Sequence, residues 1–460
     1  MSLTSPAARR DLAYHLHPTT NLRVLQTEGP LVITRGEGVY VYDEEGRRYL
    51  EGMAGLWCAS LGFSEQRLAE AAHRQMTVLP FYHSFSGRVP AVATLLAEAL
   101  MRIAPTGMSR VLFANSGSEA NDTAVKLCWY VNNALGRPLK KKIVSRQRAY
   151  HGMTIAAASL TGLAFAQTDF DLPIPRFVHT DCPHYYRGAL RGESEEAYAA
   201  RLADNLEQLI LREGPDTVAA FFAEPVMGAG GVIVPPATYF ERIQAILKKY
   251  DILFVADEVI CGFGRTGNMF GTQTFNLTPD IMTVAKALSA GYLPISANLV
   301  TGGVYDILVT QSEKLGIFGH GYTYSAHPVP AAVALETLKI YEERDIVAMV
   351  RRVGPRLQAA IRSHADHPLV GDARGIGLIG AVEPVRNKAT NEAFDPKAGV
   401  GAFLVRRAQH HGAILRSMPG DIVAFSPPLI ISDAEVDELM RCFAKALDDT
   451  WAMVKERGLA

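Results

Sequence analysis

Short apolar runs rich in β-branched and aromatic residues recur along this chain, and amphipathic stretches of helical length separate them. A strand that is apolar at nearly every position must be covered on both faces. The helices between successive strands supply that cover, so the alternation predicts an α/β fold with a mainly parallel sheet. Strands are expected at 111–114, 142–145, 218–223, 252–256 and 280–285. Helical spacing of Val92, Leu95, Leu96, Ala99, Leu100 and Ile103 predicts a helix over 88–103. Small polar residues at Asn115-Ser116-Gly117-Ser118, followed by Glu119 and Asp122, mark the start of another, ending near Gly136. Further helices are expected at 237–249, behind Pro235-Pro236, and at 329–344 and 349–364.

The two ends of the chain read differently. Residues 31–50 alternate as a β-meander, with a turn at 43–46. The last third offers a short strand near 377–383, a helix near 398–411, strands near 413–416 and 421–425, and a closing helix over 433–455. These features predict an N-terminal segment (1–59) joining a small α+β domain (326–460), with a large domain between them (60–325). Such sizes suit a chain of 460 residues, since domains run from roughly 50 to 250 residues.

Composition removes several function classes. A net charge of −1 and the lack of a basic stripe speak against a nucleic-acid partner. The greasiest stretch, near 217–235, contains Glu224 and a Gly/Pro cluster, so no run reaches the roughly 20 apolar residues a membrane span needs. The five cysteines, Cys58, Cys128, Cys182, Cys261 and Cys442, are scattered and never spaced C-x-x-C. Neither a disulfide framework nor a metal site is expected, and a reducing compartment fits. No apolar signal segment opens the chain, so the expected location is the cytoplasm.

Gly262-Phe263-Gly264-Arg265-Thr266-Gly267 matches a dinucleotide-binding fingerprint. That fingerprint needs a helix opening on its glycines. Asn268-Met269-Phe270-Gly271-Thr272 does not read as one, so a tight loop is expected instead.

Three elements stand at the carboxyl ends of expected strands, where α/β sheets bind ligands. The first is Asn115-Ser116-Gly117-Ser118. A helix start offers free N–H groups and a positive dipole end to an anion, although alone such a tetrapeptide means only an N-cap. The second is Asp257, which ends Ile252-Leu253-Phe254-Val255-Ala256. An acid there must find a partner, such as a protonated ring nitrogen, or remain a solvated loop acid. Glu258 beside it points the other way and reads as structural. The third is Lys286, which ends Asp280-Ile281-Met282-Thr283-Val284-Ala285. Burial would expose its nucleophilic free base, whereas a lone lysine usually snorkels to water.

Together these residues resemble the class III aminotransferases of pyridoxal-phosphate fold type I. The resemblance rests on Leu253-Phe254-Val255-Ala256-Asp257-Glu258-Val259, the glycine loop after it, Ala285-Lys286, Ser116-Gly117-Ser118-Glu119-Ala120, Tyr150-His151-Gly152, Glu224-Pro225 and Thr323-Tyr324-Ser325. It runs from about residue 28 to the C-terminus. Met53 to Cys58, Pro80-Phe81-Tyr82, Gly230 to Pro236, and Arg416 before Pro427-Pro428-Leu429 resemble the amine:pyruvate branch.

The resemblance implies pyridoxal 5'-phosphate as cofactor, held covalently by Lys286, which also moves the substrate proton. It implies Asp257 at the ring nitrogen and Gly117 and Ser118 at the phosphate. Tyr150 and Val259 take the two ring faces, and Glu224 supports the surroundings. Thr323 would reach the phosphate of a neighbouring subunit, giving a homodimer, or a tetramer built from it, with sites at the interface. Trp57, Phe85, Tyr150 and Ala229 would line the substrate pocket, and Arg416 would bind an acceptor carboxylate. The implied reaction is ping-pong transfer of an amino group from a primary amine to a keto acid such as pyruvate. Other reactions on the same fold (aminomutase, racemase, decarboxylase) and a non-catalytic binding protein are the competing readings. Two departures from the family pattern, Met227 and a 416–421 segment one residue longer, are expected to reshape the pocket.

Overall fold

A computed structural model describes residues 5–459; residues 1–4 of the expected N-terminal segment and residue 460 lie outside the described residues. The centre is a seven-stranded sheet. Its spatial order is Met108–Ala114, Ser296–Thr301, Ile281–Val284, Leu253–Asp257, Val218–Ala223, Lys142–Arg146 and Phe177–Thr180. The last five strands pair in parallel. Ser296–Thr301 runs antiparallel to both of its neighbours. Val218–Ala223 (VAAFFA) is buried at every position, as a strand covered on both faces must be.

Every strand expected in this sheet is present. Two more join it, and each has a physical reason for being hard to read. Phe177–Thr180 is a short edge strand. Ser296–Thr301 carries polar residues into the core, where their donors find main-chain acceptors. Ser296 Oγ donates to Ser116 O at 2.7 Å, and Asn298 Nδ2 donates to Ala120 O at 2.9 Å. Such bonds remove the cost of burying polar groups and hide the strand from an apolar count. Helices Gln66–Val78, Glu195–Glu213 and Gly302–Leu315 are additions to the expected set. The expected helices appear as Ala91–Ile103, Gly117–Ala134, Tyr239–Lys249, Pro328–Glu343, Ile346–Arg362, Val400–His410 and Asp433–Glu456.

The meander forms as Ile33–Glu37, Tyr40–Asp43 and Arg48–Glu51, and Ala413–Ile414 extends it in parallel. The expected strand near 377–383 is in fact a hairpin of Val370–Ile376 with Ile379–Pro384. Asp372 and Arg374 break the apolar pattern of its first arm; they pair with each other. The expected strand over 413–416 divides at Leu415. Its first part joins the meander, and Arg416–Met418 instead pairs with Ile422–Phe425. Asp421, expected within the second strand, turns the chain between them at φ +58°.

The 262–267 motif is a loop. Phe263, Gly264 and Gly267 have φ of +65°, +109° and +91°, and the next helix is only Gly271–Thr274. Arg265 is buried within it and donates through Nη1 to Leu378 O at 2.9 Å and Pro427 O at 2.6 Å. The loop therefore ties the central sheet to the C-terminal strands. Among the described residues, no helix is long and apolar enough to cross a membrane.

Candidate active site

The carboxyl ends of five central strands face one cavity of about 310 Å³. Its lining includes Ser116, Gly117, Ser118, Tyr150, His151, Glu224, Asp257, Val259 and Lys286. A cavity of that size lies at the lower end of the range for small-molecule sites.

One end is the start of helix Gly117–Ala134. Ser116 Oγ accepts the Glu119 N–H at 3.2 Å. The Gly117 and Ser118 N–H groups before it have no helical acceptor, and they carry the positive end of a long helix dipole. Gly117 is required by space, since a Cβ would sit 3.1 Å from Val259 Cγ1. Ser118 Oγ accepts the Met153 N–H at 3.0 Å, which leaves its own proton to donate. This end suits a phosphate.

Asp257 lies deeper and is 4% exposed. Its Oδ2 accepts from Asn121 Nδ2 at 2.8 Å and lies 2.8 Å from His151 Nδ1. Its Oδ1 accepts the Val259 N–H at 3.1 Å. Among the described residues, no lysine or arginine pairs with it. A buried carboxylate that no lysine or arginine neutralises is suited to a cationic ring nitrogen. The His151 Nε2 atom is also buried without a partner.

Glu224 braces the next loops. Its Oε1 accepts the Tyr150 N–H at 3.0 Å and its Oε2 the Gly228 N–H at 2.9 Å. Burial raises its carboxyl above the ordinary range. Glu258, next to Asp257, is turned away as expected, and its carboxylate accepts the Gly271 N–H at 2.9 Å and the Thr272 N–H at 2.5 Å.

Lys286 enters from the far side of the cavity. Its φ of +47° is left-handed, an uncommon state for a residue with a Cβ and one found most often where function demands it. Burial lowers its ammonium below 10.5, and the Arg416 charge adds to this. Trp57 stands against both cations. Lys286 Nζ lies 5.4 Å and Arg416 Cζ 5.2 Å from its ring. Burial also lowers the Arg416 guanidinium and raises the Tyr150 phenol.

The remaining expected residues fall elsewhere. Phe85 is 43% exposed and lies off this cavity, with its Cζ 3.1 Å from where a Cβ on Gly321 would be. Thr323 is exposed on the following turn. Ala229 is buried in the turn between Gly228 and Gly230 and does not reach the lining. Met227, expected to reshape the pocket, packs instead with Ala149 and Ile233. The 416–421 segment is a hairpin turn, not an insertion into the cavity. Conversely, Asn121, Cys58 and the 289–295 wall line the cavity without having been expected there. His151 was visible only as a member of a motif, and Asn121 gave no signal because it lies within an ordinary helix face.

A sequence profile described as "Aminotransferase class-III" matches residues 23–447. The chain belongs to the class-III aminotransferases. This aminotransferase is 55% identical to gamma aminobutyrate transaminase 3, chloroplastic, of Solanum lycopersicum, over 93% of this chain and 82% of the relative. It is 53% identical to vanillin aminotransferase of Capsicum chinense, over 93% of each chain. A Pseudomonas jessenii omega transaminase in complex with PMP superposes at a TM-score of 0.96, with 55% identity over 98% of this chain and 99% of that one. A thermostable omega transaminase variant engineered for asymmetric synthesis of enantiopure bulky amines superposes at 0.95, with 54% identity over 97% and 100%.

The aminotransferase is thus a pyridoxal-phosphate-dependent transaminase of fold type I. Its residues fit that cofactor. The helix start matches a phosphate, the buried carboxylate without a lysine or arginine partner matches a ring nitrogen, and a desolvated amine lines the same cavity.

Proposed function

We propose that this aminotransferase moves an amino group from a primary amine (an ω-amino acid, a diamine or an aryl-alkyl amine) to a keto acid, with pyruvate as acceptor. The observation that carries this reading is Trp57 standing between Lys286 and Arg416. An aromatic wall suits an apolar donor, and a single guanidinium beside it suits the acceptor's carboxylate. The relatives' names agree with such breadth, since gamma-aminobutyrate carries a carboxylate and vanillin is an uncharged aromatic aldehyde. The variant made for bulky amines was changed at a tryptophan, a phenylalanine and an arginine, the residue types of Trp57, Phe85 and Arg416.

When bound, pyridoxal phosphate supplies an electron sink for the carbon that loses its proton. Lys286 would hold the cofactor through Nζ, and the same amine would take up and return that proton. Its burial keeps a share of the amine unprotonated and able to act. Asp257, fixed by His151 and Asn121, would keep the ring nitrogen cationic. Gly117 and Ser118 would hold the phosphate. Tyr150 and Val259 would cover the two ring faces, and Glu224 fixes the Tyr150 loop. Thr323 and Phe85 lie together and off this chain's cavity, which supports their serving the cavity of a neighbouring subunit in a homodimer. A domain division at about residues 59 and 325 is supported by the central sheet drawing its strands from 108–301 and by Ala413–Ile414 joining the N-terminal meander to the C-terminal part. The five cysteines are free, which supports a reducing compartment such as the cytoplasm.

The test incubates the purified protein with pyruvate and a panel of amines and scores alanine. Alanine formed from an aryl-alkyl amine and from an ω-amino acid is expected. Amine consumed with no alanine formed would favour a mutase and overturn the reading. Borohydride should fix a pyridoxyl group on Lys286 alone.

A further inference from the structure

Arg148 joins three segments that meet around the cavity, and none of the roles above includes it. It sits in the loop that carries Tyr150 and His151, with its own φ at +66°. Its Nε and Nη2 donate to Gly230 O at 3.0 Å and 2.7 Å. The same Nη2 donates to Pro419 O at 2.9 Å. Pro419 is in the turn of the Arg416–Met418 and Ile422–Phe425 hairpin, three residues from Arg416. Among the described residues, no other hydrogen bond joins residues 416–421 to the loops around Tyr150. The turn's other outward bond runs away from the cavity, from the Gly401 N–H to Asp421 Oδ1 at 2.8 Å.

The geometry suits a guanidinium. Its planar fork places two donors on Gly230 O and still reaches Pro419 O on a separate segment, whereas a lysine ammonium is a compact donor on a flexible stem. Arg148 pairs with no carboxylate among the described residues, and its partners are two main-chain oxygens. Gly230 admits the approach because a Cβ there would collide with the Arg148 carbonyl. The bond to Pro419 is the exposed one, so this contact opens more readily than the pair on Gly230.

We propose that Arg148 is a positioning residue that sets how far the Arg416 hairpin reaches toward the cavity, and so tunes the preference for carboxylate-bearing over uncharged substrates. This rests on the reading of Arg416 as the acceptor's carboxylate partner. With the Pro419 bond made, Arg416 stays against Trp57, where a carboxylate entering beside Lys286 can meet it. With the bond lost, the strands stay in their sheet, but the turn between them keeps only the Gly401 bond, and the guanidinium on the strand that enters that turn spends less time in place. An uncharged amine makes no use of Arg416 and is indifferent to this.

The test compares the holoenzyme with Arg148→Met, Arg148→Lys, Arg416→Ala and the Arg148→Met/Arg416→Ala double variant. KM is read for pyruvate and for an uncharged aryl-alkyl amine, and the cofactor's absorbance reports whether the site is loaded. In Arg148→Met the KM for pyruvate should rise about tenfold, the scale of one charge-assisted hydrogen bond, while the KM for the amine changes less than about twofold. Arg148→Lys should restore part of the loss. In the double variant the KM for pyruvate should match that of Arg416→Ala, because a residue acting through Arg416 has nothing left to act on. If Arg416→Ala is selective for pyruvate but Arg148→Met is not, the positioning role alone falls. If the double variant shows additive losses, it falls likewise. If Arg416→Ala shows no selectivity for pyruvate, both the positioning role and the reading beneath it fall.

Discussion

His151 Nδ1 and Asp257 Oδ2 meet at 2.8 Å in the interior, where the histidine side chain has no exposure and the aspartate 4%. A carboxylate only accepts, so the shared proton rests on Nδ1. The pair is 106 residues apart in sequence, and the fold brings it to the end of a parallel strand. A carboxylate held by His151 and Asn121, with no lysine or arginine against it among the described residues, is placed to serve the cofactor's ring.

Asp257→Asn should therefore lower kcat for the half-reaction with a donor amine by roughly 10²–10³, the scale seen when a preorganised electrostatic partner is removed. Stopped-flow bleaching of the cofactor band measures it. A rate within about threefold of the wild type would mean that the ring nitrogen does not depend on this acid.

Lys286 gives a stability prediction with a definite sign. Burial lowers its ammonium below 10.5, so the folded chain gives up the proton at a lower pH than the unfolded chain does. Between the lowered value and 10.5 the unfolded state binds more protons, and stability rises with pH. Cofactor-free wild type should be less stable than cofactor-free Lys286→Met near neutral pH, and the gap should narrow as pH rises. Denaturant midpoints of the two proteins from about pH 7 to 10 would show it; a gap that stays constant would contradict the burial argument.

Glu51 behaves in the opposite sense. It is buried and has no cationic partner among the described residues, and burial pushes its carboxyl from 4.5 up to about 7 against hydrogen bonds from the Gly55 and Met53 N–H groups. The folded chain thus holds this proton more tightly than the unfolded one. The resulting stability is fully present below 4.5 and is lost as pH rises through about 7. Glu51→Gln should flatten the decline in unfolding temperature across that window. Parallel profiles for the two proteins would place the source of the decline in another group.

Trp57 is held by the loop that Glu51 fastens, with left-handed φ at Ala54, Gly55 and Trp57 itself. Trp57→Gly should open space beside the cavity and remove the ring over Lys286 Nζ while leaving Asp257 and its partners in place. The ratio of kcat/KM for a bulky over a small aryl-alkyl donor should rise about tenfold or more, in line with what pocket volume contributes to selectivity. An unchanged ratio would show that the tryptophan does not border the donor.

What could be read from the chain itself was whatever is local. The strand-to-helix alternation specifies the central sheet because apolar runs and helical spacing are properties of neighbouring residues. The same holds for Gly117-Ser118 at a helix start, Asp257 at a strand end and Lys286 after Val284, each set by the element it terminates. Polar residues that find distant partners escape such a reading, as Ser296 and Asn298 did in a buried strand and His151 and Asn121 did around Asp257. Only the tertiary structure could divide 413–416 between two sheets, move Met227 into a separate apolar cluster, set Phe85 and Thr323 off this chain's cavity, and bring Arg148 to Pro419. Those outcomes depend on contacts between segments tens to hundreds of residues apart, and no local period or motif encodes which long-range partner a buried polar group will find.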